Sequence, residues 1–187
     1  MADVYRRTNE VTLTDPVLVV AMEGWIDAGT AALTAMTTLV EALGAFTFIE
    51  FDGDEFVDYR ARRPVVRLRD GVTESVTWPR IDLMAGRDRN GTDVMLLTGP
   101  EPDSKWKLFL RTMAGLIDEL GVRLVVILGA YPAGVPHTRP SRVVGTSTDA
   151  SLARRVGVVR ATLDLPAGLP VALEHASSTK GIPALSL

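Results

Sequence analysis

Six successive apolar residues, VLVVAM at 17–22, run without alternation into the short loop EGWIDAG. A strand that meets water on one face alternates apolar and polar side chains, so an unbroken β-branched run marks a strand covered on both faces. That single requirement demands helices above and below a sheet, and the rest of the chain supplies the pattern. After Asp27, placed as an N-cap, comes AGTAALTAMTTLVEALG, whose Ala31, Leu33, Ala35, Met36, Leu39, Val40 and Leu43 form a helical stripe closed by Gly44. AFTFIEF (45–51) reads as a second strand, TDVMLLTG (92–99) as a third, and VRLVVILGAY (122–131) as a fourth. A helix begins near Ser104, carries Trp106, Phe109, Met113, Leu116 and Ile117, and stops at Gly121. VVGTSTDASLARRVG (143–157) reads as a fifth strand and a short helix capped by Thr148 or Asp149. Pro170 suits a first helical turn and Gly181 its end, before IPALSL starts another strand.

Strand, helix, strand repetition implies a mostly parallel sheet in a three-layer α/β/α arrangement. With 187 residues, 47% of them hydrophobic, a single domain over 1–187 is expected. One segment breaks the rhythm. Within 54–80, PVVRLRDGVTESVTWP alternates on either side of Asp70 and Gly71, the signature of an inserted β-hairpin. Its Val65, Val66, Leu68, Val72, Val76 and Trp78 are more apolar than an isolated ribbon can shield, so packing on a neighbouring copy is expected.

Composition removes several function classes. A net charge of −3 with scattered arginines argues against nucleic acid as a partner. Cysteine is absent, which excludes disulfides, thiolate metal sites and cysteine nucleophiles. No apolar run reaches bilayer length and the first residues are polar, so no membrane association and a cytoplasmic location are expected. Arginine outnumbers lysine, as high-GC bacterial codon usage produces. Neither the three-glycine dinucleotide fingerprint nor a phosphate loop occurs, and no cofactor is expected. GTSTD (145–149) has Asp149 where a nucleophile elbow requires its second glycine. His137 and His175 have no partner at metal-ligand spacing, and no metal is expected.

In an open α/β sheet, ligands bind at the carboxyl ends of the strands. Glu23, Trp25, Asp27, Pro100, Tyr131 and His137 all fall on loops assigned to that rim, and they form the candidate binding site. No catalytic residue is assigned. Two readings of Glu23 and Asp27 stand side by side: an acid and base pair with separated pKa values, or a helix cap at Asp27 with Trp25 packed over the strand end. Trp78 and Trp106 are read as filling gaps in the core or at an interface.

The succession EGWIDAGTAA, TGPEPDSKW, LGAYPAGVPHTRP and GIPALSL resembles the proteasome assembly chaperone family, in its bacterial uncharacterised branch, over nearly the whole chain. The resemblance implies a fold similar to nucleoside phosphorylases and related hydrolases, self-association as a homotrimer, and a chaperone or assembly role with a protein partner. It supplies no catalytic residues for this branch. It also implies further sheet and a helical segment beyond GIPALSL, where this chain stops, so the expectation is either a fragment truncated at the C-terminus or a member divergent at its end. The stretch from Arg154 to Gly181 matches the family pattern loosely. A phosphorylase- or hydrolase-type enzyme working at the same rim is the alternative.

Overall fold

The computed structural model describes residues 4–25, 27–131, 134–140, 143–157, 162 and 164–187. Seven strands form one sheet in the order β1–β3–β6–β7–β2–β8–β9. They are β1 (Tyr5–Arg7), β2 (Val17–Glu23), β3 (Phe46–Phe51), β6 (Asp82–Arg87), β7 (Asp93–Pro100), β8 (Leu124–Ile127) and β9 (Ala184–Ser186). A separate two-stranded ribbon is made by β4 (Val65–Arg69) and β5 (Val72–Thr77).

The mostly parallel sheet expected from the sequence is corrected to a mixed one. β7, β2, β8 and β9 pair in parallel, whereas β1 with β3, β3 with β6 and β6 with β7 are antiparallel. The reason is two strands that carry little strand signal of their own. β1 has three residues, two of them arginines, and β6 contains Gly86. Gly86 is bare because the end of α1 (Ala31–Leu43) presses on it: an added Cβ would lie 2.9 Å from both Cβ and O of Leu43. The pairing of β6 with a neighbour on each side makes it a strand, a tertiary cause that local pattern does not show. Even so, β3, β7, β2, β8 and β9 point the same way, because β6 reverses direction between β3 and β7. Their carboxyl ends therefore share one edge.

Helices cover both faces. Val19, Ala21 and Leu96 meet α1 (Ala31–Leu43) through Ala32 and Met36. The alternate side chains Leu18, Val20, Met22, Met95 and Leu97 join Phe109, Met113, Leu116 and Ile117 of α3 (Trp106–Glu119) and Leu169 and Leu173 of α5 (Leu169–Thr179). Two short helices, α2 (Gly53–Phe56) and α4 (Ala150–Val156), complete the set. The core strand β2 is thus buried on both sides, as its apolar run demands. Phe51, Phe56 and Phe109 meet as an aromatic triad, with Phe56 edge-on to Phe109 at 5.2 Å.

The ribbon forms about Asp70 and Gly71 as expected, both in the left-handed region. Every residue of both strands is exposed. Trp78, half-exposed at its base, stands edge-on to Tyr59 at 4.7 Å. Trp106 is partly buried against the core, its indole N–H donating to Pro102 O. Of the fifth strand expected within 143–157, the described residues show an antiparallel bridge between Thr146 and Ser186.

Asp93 pins the amino end of β7, opposite the edge where the strands' carboxyl ends gather. Its carboxylate accepts from Arg87 Nε at 2.7 Å and from the Thr14 amide at 2.8 Å. The bond from Arg87, with that from Thr14, keeps the carboxyl below its ordinary range. A depressed folded-state pKa gives stability that is complete above the unfolded value and lost as pH falls through the folded one. Asp93→Asn is therefore expected to melt several degrees lower at pH 7, with the gap closing below about pH 3.8, as melting curves across pH 2–7 would show.

Candidate functional site

The rim is assembled by main-chain register before any side chain enters. Glu23 lies opposite Pro100 at the parallel ends of β2 and β7, and the Glu101 amide donates to Glu23 O at 2.9 Å. Asp27 bridges to Ala130, the Ala28 amide donating to Ala130 O at 2.7 Å, which brings the loop after β2 beside the loop after β8. Glu23, Trp25, Asp27, Pro100 and Tyr131 consequently share one edge of the sheet. His137 follows in the segment 134–140, exposed and without a side-chain hydrogen bond to a described residue. Ile26, Pro132 and Ala133, which the sequence reading places in the same loops, lie outside the described residues.

Among the described residues Glu23 and Asp27 make no hydrogen bond to each other, and their carboxylates are differently engaged. A 3-10 turn at Ala28–Thr30 follows Asp27, with Gly29 and Thr30 both left-handed, and α1 starts only at Ala31. Asp27 is thus three residues ahead of the formal cap position, yet its carboxylate folds back over the turn. Oδ1 accepts from the Ala32 amide at 2.8 Å and Oδ2 from the Leu33 amide at 3.3 Å. Those are two of the amides an N-cap side chain satisfies. Glu23 meanwhile projects into solvent, its carbonyl rather than its carboxylate engaged, including by Arg62 Nη2 at 3.4 Å. Trp25 does not pack over the strand end: it is 72% exposed, and Tyr131 is 60% exposed.

A second carboxylate, Glu101, escaped the sequence reading. It is only 8% exposed, directly after β7, and Oε1 accepts from the Leu169 amide at the start of α5. Gly24 makes room for it: a Cβ there would stand 2.4 Å from Glu101 Oε2 and 3.0 Å from its Cβ. The glycine of EGWIDAG is therefore answered by a buried side chain from the neighbouring strand. A carboxylate immediately following a doubly covered strand was the available signal, hidden within the turn-like PEPD. Arg62 ties a third acid into the same edge, its Nε 3.3 Å from Asp103 Oδ1, while Asp103 Oδ2 accepts from the Asp58 amide at 2.9 Å.

Glu174 was also missed. It is 5% exposed on α5 and accepts from Ser186 Oγ. Burial pushes its carboxyl up, against the opposing pull of that bond. Ser147, at the nucleophile position of the elbow-like GTSTD, donates its hydroxyl to Ala184 O and accepts from the Asp149 amide at 3.0 Å. His175 is exposed. Among the described residues no cluster of His, Cys, Asp or Glu has the arrangement to hold a metal, and no helix is long and apolar enough to cross a membrane.

Two open clefts, of about 650 and 500 Å³, lie at the far end of this edge and share Glu50 to Gly53. The smaller is walled by Tyr59 and Trp78 beneath the ribbon. Neither includes the six candidate rim residues.

Because both Asp27 oxygens are occupied, asparagine can replace only one acceptor. Asp27→Ala should cost about 1–2 kcal/mol, and Asp27→Asn an intermediate amount. At about 2–4 °C per kcal/mol for a domain of this size, calorimetry resolves the series wild type, Asn, Ala.

The PAC2 family model matches residues 21–187. A proteasome-assembly chaperone homologue from Mycobacterium tuberculosis is 38% identical, with a TM-score of 0.84 over 91% of this chain and 72% of that one. A PAC2 family protein from Streptomyces avermitilis is likewise 38% identical, with a TM-score of 0.83 over 92% of this chain and 74% of that one. PbaB of Pyrococcus furiosus, an archaeal proteasome activator, shares the fold at 18% identity, with a TM-score of 0.73 over 97% of this chain and 77% of that one. No curated protein matches. A family match over most of the chain, together with relatives at 38% identity, agrees with the resemblance drawn from EGWIDAG and GAYPAGVPHTRP: the chain belongs to the PAC2 family.

Proposed function

We propose that this chain is a binding protein of proteasome-assembly-chaperone type, and that it docks a protein partner on the rim without catalysing a reaction. The observation that carries this reading is the engagement of Asp27 and Glu101 with helix amides, which leaves Trp25 and Tyr131 exposed beside them. Large aromatic side chains held open on an ordered edge are the usual anchors of a protein interface. The α1 amides that would attract an anion are already taken by Asp27. The relative from Mycobacterium tuberculosis, a proteasome-assembly chaperone homologue, supplies the class of partner: a proteasome subunit.

The exposed ribbon supports self-association, and a closed homotrimer is the assembly we propose. A bacterial, cytoplasmic setting accompanies that reading. The second reading, a phosphorylase- or hydrolase-type enzyme, draws on Glu23, whose carboxylate is exposed at the carboxyl end of β2.

Light scattering at micromolar concentration is expected to give three times the chain mass, and a monomer would refute the trimer. Titration with purified proteasome subunits should show binding that Trp25→Ala weakens tenfold or more, as the loss of an interface anchor does. Turnover of nucleosides or esters that disappears in Glu23→Gln while the fold melts normally would overturn the reading in favour of the enzyme.

A further inference from the structure

The charges around the ribbon are sorted along the chain. Residues 50–58 carry five acids and no base, and residues 60–69 carry five arginines and no acid. Part of each group is neutralised internally: Glu50 pairs with Arg6 and Arg80, Glu55 with Lys105, and Arg62 with Asp103. Asp52, Asp54 and Asp58 are outside any ion pair among the described residues. Two of them, Asp52 and Asp54, line the smaller cleft together with Val76 and the edge-on rings of Tyr59 and Trp78. Carboxylates beside an aromatic pair are the chemistry that holds a guanidinium group.

The ribbon itself has two unlike faces. Val65, Arg67 and Arg69 alternate along β4 onto one of them, with Val72 opposite Arg69. Val66 and Leu68 take the other, with Val76 opposite Val66. Glu74 pairs with both arginines, with Nε of Arg67 at 3.2 Å and Nε of Arg69 at 2.9 Å, so two guanidinium groups share one carboxylate and their face keeps a positive charge. Arginines already held in place lose less rotamer freedom when that face is covered. The arginine face points away from the chain's own cleft, because Val76, in the cleft wall, stands on the opposite face. A second chain is needed to bring the two together.

We propose that the arginine face of one ribbon docks in the cleft of a second copy, so that Arg67 and Arg69 meet Asp52, Asp54 and the Tyr59–Trp78 pair of the next chain. This inference rests on the self-association reading above and supplies its contact surfaces. Val65 and Val72, alongside the arginines, cover the exposed Val76 and Trp78 of the acceptor. A face that enters and a cleft that receives are different surfaces, so the contact is heterologous: every chain gives its ribbon to one neighbour and its cleft to another. Both faces of the ribbon, exposed in the single chain, are then covered. Opposite charges at the contact make assembly sensitive to salt.

Light scattering and sedimentation velocity of the full chain at micromolar concentration test this with charge reversals at exposed residues. Arg67→Glu with Arg69→Glu, and separately Asp54→Arg, should each weaken assembly about tenfold or more, while circular dichroism and melting stay close to wild type. Combining the three substitutions in one chain reverses both sides of the contact and should restore assembly, a recovery that a damaged fold would not give. An assembled wild type that either reversal leaves intact would overturn the inference while self-association stands, and so would a combined variant that stays dissociated. A wild type that remains monomeric would overturn both.

Discussion

Every helix start leaves main-chain N–H groups without an internal partner, and at α1, α2, α4 and α5 carboxylates from the preceding loops or neighbouring strands supply an acceptor. Asp27 reaches α1, Asp52 reaches α2, Asp149 reaches α4, and Glu101 reaches α5 from the end of β7. The Glu101 contact has the widest consequences. It joins two strand ends to the first turn of a helix 68 residues away, and it fits only because Gly24 has no side chain. The negative charge gathered at this edge complements the helix dipoles, a favourable contribution of about 0.3–1 kcal/mol at each end. An acidic strand edge that looks like catalytic machinery is, at Asp27 and Glu101, the means by which strands turn into helices.

Much of this architecture is legible in the sequence because the periodicities are strong. The unbroken run of β2 forces two helical layers, and the stripe of α1, the stripe of α3 and the Asp70–Gly71 turn each fall where the pattern puts them. Hidden strands fail for a physical reason. β6 carries Gly86 because a helix end crosses close above it, and β1 is too short to show a period. Both exist through pairing partners, and they convert a parallel sheet into a mixed one.

Legibility of the site follows the same division. Asp27 is recognisable as a cap from its place before a helical stripe, although the intervening 3-10 turn and its two-oxygen contact are not. Glu101 and Glu174 are invisible for opposite reasons. Glu101 reads as part of a turn, but β7 carries it into the protein. Glu174 reads as one charge on a helix, but it lies buried against Ser186 of β9. Trp25 runs the other way: an aromatic read as packing over the strand end stands in solvent.

The central claim is that the rim glycine and the buried glutamate form one structural unit, and a double-mutant cycle on Gly24 and Glu101 tests it most directly. Gly24→Ala inserts a methyl group against a pinned carboxylate and should destabilise by about 1–3 kcal/mol. In the Glu101→Ala background the obstruction is gone, so the same substitution should cost much less, leaving a coupling energy of about 1 kcal/mol or more. Strictly additive losses in urea unfolding would contradict the account, since Gly24 would then be required for some reason other than Glu101.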